Sequence, residues 1–150
     1  MMHNKSIIWL LSLKFVMVST TPTIPLFRKD FDGFVEFLHD STIGIPTLSP
    51  SRFSEVMHID LQTLASQAHV HRNTLQRAPG SESVQRFLRE AIRVIRAALD
   101  LNGDLERAIF WYRNIPIPTF GYKTAEILVT DNRTEDLLHY LDSLEAGPVG

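Results

Sequence analysis

The sequence predicts an all-α protein. Three observations carry that expectation. Apolar residues recur at spacings of three and four along most of the chain, helix caps punctuate them at short intervals, and no alternating strand pattern of useful length appears. The 150 residues suit one domain or two very small ones, and a hydrophobic content of 44% is enough for a core. A compact chain of this size buries roughly 70% of its unfolded surface.

The first globular signal is RKDFDGFVEFLHD, which places Phe31, Phe34, Val35 and Leu38 at helical spacing, with Gly33 weakening the helix. IGIPTLSP reads as a linker or turn. Ser49 and Pro50 then supply an N-cap and a first-turn proline for a short helix through Phe53, Val56 and Met57. Asp60 caps a second helix whose inner face is Leu61, Leu64, Ala65 and Ala68. VHRNTLQR forms a third, ended by APGS. ESVQRFLREAIRVIRAALDLNG is the longest helix. Its predicted apolar stripe is Val84, Phe87, Leu88, Ala91, Ile92, Ile95, Ala98 and Leu99, with Arg86, Arg89, Arg93 and Arg96 largely off it. Asn102-Gly103 stops it.

Asp104 caps LERAIFWYRN, and Pro116 and Pro118 end that helix and stiffen the connection after it. Thr124 is placed to cap AEILVT, and Thr134 to cap EDLLHYLDSLEA, which ends at Gly147.

Charge is unevenly spread. Residues 1–51 hold four basic and four acidic groups, residues 52–96 seven arginines against four acids, and residues 97–150 four basic groups against nine acids. A basic middle and an acidic end suggest two surfaces for two kinds of partner. There are no cysteines, which excludes disulfides, thiolate zinc sites and cysteine nucleophiles. Six histidines raise a metal reading, but His69 and His71, with His58 and Asp60 nearby, match no strong zinc spacing. No phosphate-loop, dinucleotide or nucleophile-elbow motif is present, so neither enzyme activity, nor a cofactor, nor a metal is expected.

The N-terminal MMHNKSIIWLLSLKFVMVS has some features of an export signal: Lys5, then IIWLLSL, then FVMV. Lys14 interrupts the apolar core, no small-residue cleavage site comes after it, and the run is too short to span a membrane. The favoured reading is a translation start at Met17. A marginal tail and a true export signal are the alternatives. Residues 1–27 are therefore expected to be a poorly structured or misassigned tail, on a cytoplasmic protein with no membrane association.

LQTLASQAHVHRNTLQR has helix-turn-helix spacing. Ala65 is small where two helices cross, His69 takes the turn position where Gly is commoner, Val70 plugs the core, and Leu75 anchors the second helix. Arg72, Asn73, Thr74, Gln76 and Arg77 are left facing out, and such side chains contact base edges and phosphates. The structural alternative is a helical hairpin with no DNA-reading role.

With the long helix after it, then AIFWYRNIPIPTFGYKTAEILVTD and LLHYLDSLEAG, this segment resembles the Xre-type antitoxins with an MbcA/ParS toxin-binding domain, the antitoxins of RES–Xre toxin–antitoxin pairs. The resemblance covers about residues 50–147. Trp111, Asn114, Pro116, Pro118, Phe120, Gly121, Lys123, Thr124, Leu128, Leu141, Leu144, Glu145 and Gly147 fill the pattern's slots. Tyr122 stands where a second Gly is usual, Ala125 replaces a usual Pro, and TDNRTED lacks the Gly that commonly opens the last helix.

The resemblance implies an Xre-like helix-turn-helix domain over residues 28–82 and a toxin-binding domain over 83–150. It implies neutralisation of a RES-type, NAD+-consuming toxin whose active site is blocked by the C-terminal tail, with Tyr140, Leu144, Glu145, Gly147, Pro148 and Val149 as contact residues. It also implies autorepression at operator DNA, a homodimer, and a hetero-oligomer with the toxin. The alternative is a stand-alone helix-turn-helix regulator without a toxin.

Overall fold

The computed structural model describes residues 30–40, 42 and 47–147. The expectations for residues 1–27, for a start at Met17, and for Pro148 and Val149 lie outside them. Among the described residues the elements are helices, with two isolated antiparallel bridges, His39–Leu48 and Ile117–Lys123, and no strand. The all-α expectation holds. No helix among the described residues is long and apolar enough to cross a membrane.

Helix α1 (Phe31–Leu38) starts at Asp30, whose carboxylate accepts the Asp32 amide at 3.0 Å. Phe34 and Leu38 are its buried residues. The chain then returns antiparallel: Asp40 N–H donates to the Thr47 carbonyl at 2.8 Å, and Ser49 N–H to the Leu38 carbonyl at 2.7 Å. Arg52 locks the corner by donating to the Phe37 and His39 carbonyls, at 2.9 and 2.8 Å. Helix α2 (Pro50–Met57) is capped by Ser49 Oγ, which accepts from Arg52 N–H at 3.2 Å. It ends on His58 in the left-handed conformation, φ 55°.

Helix α3 (Leu61–Gln67) begins at the Asp60 cap, and helix α4 (Arg72–Arg77) comes after a short turn. Helix α5 (Glu82–Asn102) is the axis of the molecule, and Gly103 at φ 73° stops it. At 1.5 Å per residue its 21 residues reach about 30 Å. Helix α6 (Leu105–Asn114) runs back along it. A short 3-10 turn at Pro118–Phe120 leads to helix α7 (Ala125–Thr130) and helix α8 (Thr134–Ala146). Helices α6, α7 and α8 all pack on α5, and α2 reaches it through Phe53, whose ring meets Phe87 edge-on at 6.3 Å.

The buried apolar residues form one cluster from Phe34 to Leu141. Two expectations change here. The buried stripe of α5 is Val84, Gln85, Phe87, Leu88, Ala91, Val94, Ile95 and Ala98, so Gln85 and Val94 join it, while Ile92 and Leu99 are half-buried. Helices wrap α5 on more than one side, so the covered face is set by its neighbours rather than by its own periodicity. Thr134 is not the cap of α8 but its first helical residue. Arg133 occupies the cap position, and the buried Thr134 hydroxyl donates to Glu90 Oε1 at 2.7 Å.

Candidate functional site: the helix pair and the C-terminal turn

The basic middle folds as two short helices, α3 and α4, joined by a tight connection. The last turn of α3 closes through Val70 N–H donating to the Ala65 carbonyl at 3.0 Å and His69 N–H to the Ser66 carbonyl at 3.2 Å. That closure requires a left-handed residue, and His69 provides it at φ 57°. Ala65 is fully buried and Leu75 nearly so, while Val70 and Leu61 are half-buried against the core. His71 has an unforeseen role: its Nδ1 accepts the Asn73 amide at 3.2 Å and caps α4. A cap one residue before an arginine-led helix is a readable signal, but histidine ranks low among cap residues.

Arg72, Asn73, Gln76 and Arg77 are exposed and Thr74 is half-buried. Among the described residues Arg72 and Arg77 form no ion pair or hydrogen bond through their guanidinium groups. Four other arginines are matched: Arg89 with Glu82 and Arg93 with Glu135, each at 2.9 Å, Arg113 with Glu126 at 3.2 Å, and Arg133 with Asp136 at 3.1 Å, whereas the exposed Arg86 of α5, like Arg72 and Arg77, has no such partner among the described residues. The Asp60 carboxyl is held below its ordinary range, first by the Thr63 backbone N–H, then by the Thr63 hydroxyl, with the positive charge of Arg72 adding to both.

The aromatic turn after α6 is a closed loop of backbone bonds. Ile117 N–H donates to the Lys123 carbonyl at 2.9 Å, and Phe120 and Tyr122 N–H both donate to the Ile117 carbonyl at 3.0 Å. Gly121 and Tyr122 are both left-handed, φ 65° each. Tyr122 therefore takes a conformation that glycine adopts without cost. Asn132, φ 60°, does the same in the loop before α8, where the sequence has no Gly. Trp111, in the last turn of α6, is buried. Arg113 fastens α6 to both sides, pairing with Glu126 of α7 and donating to the Met57 carbonyl at the end of α2.

The candidate tail residues differ in their surroundings. Tyr140 is half-buried, and its ring meets Phe120 edge-on at 5.6 Å; the Arg133 guanidinium sits over the Phe120 ring, 5.1 Å from its centre. Leu144 is half-buried against the core, Glu145 is exposed, and Gly147 caps α8 at φ 73°. The helix pair and the C-terminal helices meet directly. His69 Nε2 lies 2.7 Å from the Thr130 carbonyl at the end of α7. A cleft of about 240 Å³ opens beside this contact, lined by Gln67, His69, Arg86, Glu90 and Asn132 among others.

No three His, Asp or Glu side chains converge as metal ligands among the described residues. No protein-family model matches the chain, and no curated protein or solved structure matches it.

Proposed function

We propose that this chain is an antitoxin: a helical protein that binds and silences a partner toxin and reads the DNA of its own operon. In this reading α4 lies in the major groove, with Arg72, Asn73, Thr74, Gln76 and Arg77 meeting bases and phosphates. Helices α6–α8 hold a RES-type toxin, and Tyr140, Leu144, Glu145, Gly147, Pro148 and Val149 close its NAD+ pocket. Two copies read paired half-sites, and the toxin joins them as a hetero-oligomer.

The observation that carries the reading is the pairing pattern of the arginines. Arg89, Arg93, Arg113 and Arg133 are each satisfied by a carboxylate of the same chain. Arg72 and Arg77, on the exposed side of the second short helix, are left for an external anion, as is the exposed Arg86 of α5. Phosphate contacts by unpaired guanidinium groups supply most of the affinity of such proteins for DNA. The resemblance of Phe110 to Gly147 supports the toxin half, as does the rigidity of the turn at Ile117–Lys123.

The test is co-expression with the adjacent reading frame, using a tag at the N-terminus and following cellular NAD+. Co-purification of the neighbour, with NAD+ collapsing only when this chain is absent, is the expected result. An indifferent NAD+ level with no co-purified neighbour removes the toxin half. The same unpaired Arg72 and Arg77 then favour a second reading, a stand-alone regulator, which tight operator binding without a partner would establish.

A further inference from the structure

Three arginines of α5 are neutralised within the chain: Arg89 by Glu82, Arg93 by Glu135, and Arg96 by Asp100 at 3.5 Å. Arg86 and Glu90 have the same spacing and order as Arg96 and Asp100, yet they form no ion pair. The cause is tertiary. Glu90 Oε1 accepts the Thr134 hydroxyl at 2.7 Å, which ties it to the start of α8. Arg86 is exposed and finds no other partner among the described residues. Two opposite charges are thereby kept apart, one helical turn or about 6 Å along the axis of α5.

Both line the cleft of about 240 Å³ where the helix pair meets the C-terminal helices. Three parts of the fold build it: Gln67 and His69 at the end of α3, Arg86 and Glu90 on α5, and Asn132 in the loop before α8. Phe87 and Val129 give it a buried apolar floor. The Gln67 and Asn132 side-chain amides have no hydrogen bond among the described residues, and His69 spends only one ring nitrogen, on Thr130.

The backbone at this cleft is also unusual. Four non-glycine residues are left-handed among the described residues, and two of them, His69 at φ 57° and Asn132 at φ 60°, line it. Glycine takes that conformation at less cost. It would bring no polar group to the cleft.

We propose that the cleft is a binding site for a free α-amino acid, with the carboxylate on Arg86 and the ammonium on Glu90. A carboxylate fits the guanidinium fork with two parallel hydrogen bonds, and an ammonium has three donors to give. A simple anion would face the like charge of Glu90, and a simple cation that of Arg86, so a ligand carrying both charges is favoured over either. The volume of about 240 Å³ lies below the roughly 300–1,000 Å³ of sites for drug-sized ligands, which favours a small molecule. Bound there, the ligand touches the end of α3, α5 and the loop before α8 together, and adds to the His69–Thr130 tie between the helix pair and the C-terminal helices. The site stands apart from the antitoxin reading and does not depend on it.

The experiment is calorimetric titration of the full chain with the common free α-amino acids, one at a time, with melting temperatures measured in parallel. For each that binds, its N-acetyl and amide derivatives are titrated too, since each lacks one of the two charges. Inorganic phosphate serves as the plain anion. At least one amino acid should bind saturably and raise the melting temperature. Both derivatives should bind at least about tenfold more weakly. Arg86→Gln should melt as the wild type does, because it loses no partner in the fold, and should bind about tenfold more weakly. Glu90→Gln keeps an oxygen for Thr134, removes the charge, and should weaken binding to a similar degree. Absence of binding by every amino acid overturns the proposal. So does an N-acetyl derivative or phosphate that binds as tightly as the free amino acid, which would make the cleft an anion site. An Arg86→Gln chain that binds as the wild type does places the ligand elsewhere and overturns it as well.

Discussion

His69 and Thr130 meet at 2.7 Å although 61 residues separate them: the ring of a turn residue satisfies the Thr130 carbonyl at the end of α7. A carbonyl only accepts, so Nε2 carries the hydrogen in this contact. The residue does two jobs at once, closing α3 in a left-handed conformation and tying the helix pair to the C-terminal helices. Substitution separates them. His69→Ala loses the bond and keeps the strained backbone. His69→Gly loses the bond and relieves the backbone. Urea melts should place His69→Gly about 1 kcal/mol above His69→Ala, and both below the wild type. An alanine variant as stable as the wild type would show that the tie to Thr130 contributes nothing.

Gln85 behaves like a piece of strand inside a helical protein. Its Oε1 accepts the Leu48 amide at 2.9 Å, and its Nε2 donates to the Leu48 and Pro79 carbonyls, each at 2.8 Å. Removing it leaves two buried backbone groups of Leu48 and the half-buried Pro79 carbonyl without this partner. Gln85→Met keeps the volume and loses the bonds, and it should cost about 2–4 kcal/mol in denaturant melts. Gln85→Glu keeps one acceptor but cannot donate to both carbonyls, so it should not rescue the loss.

Tyr112 is fully buried and its hydroxyl has no partner. Burial, with the nearby Glu126 charge in support, pushes its ionisation far above the ordinary tyrosine range, while Arg113 opposes weakly. The neutral form is therefore favoured in the folded state. Its contribution is complete below the unfolded tyrosine value, about 10, and is lost as pH rises beyond it. Tyr112→Phe should raise stability at pH 7 by about 1 kcal/mol, since it removes an unpaired buried hydroxyl. It should also flatten the fall in stability at alkaline pH. Calorimetry from pH 7 to 11 on both chains checks the two effects.

Arg72 and Arg77 should matter to DNA and not to the fold. Both are exposed and unpaired, so the double alanine variant should melt close to the wild type. On the DNA upstream of its gene, each lost phosphate contact should lower the dependence of log K on log salt by about 1. A slope unchanged by both substitutions would show that α4 is not the DNA-reading helix.

Removal of residues 145–150 should leave the melting temperature in place, because the buried residues of α8 are Thr134, Leu137 and Leu141, all upstream. On the antitoxin reading proposed above, it should abolish neutralisation of the partner in a growth assay. Full protection by the truncated chain would refute closure of the NAD+ pocket by the tail.

Most helix boundaries are legible in the sequence because their causes are local. Ser49, Asp60, Asp104 and Thr124 each accept an amide three residues ahead, and Gly103 stops α5 with its own φ. The left-handed place of His69 is legible for the same reason: the closure of one helix turn demands it. Thr134 departs from its expected place because a local rule competes with a distant partner, and Glu90, 44 residues away, takes its hydroxyl. Gln85 looks like a surface residue in sequence, since nothing near it announces Leu48, 37 positions back. Tyr122 stands out in sequence as a departure from a pattern, yet its strain and exposure depend on how the turn closes over Ile117. Contacts within one helical turn are dictated by residue order. Pairings across 37 to 61 residues exist only once α5 has gathered the other helices around it, and those pairings choose which polar groups are buried.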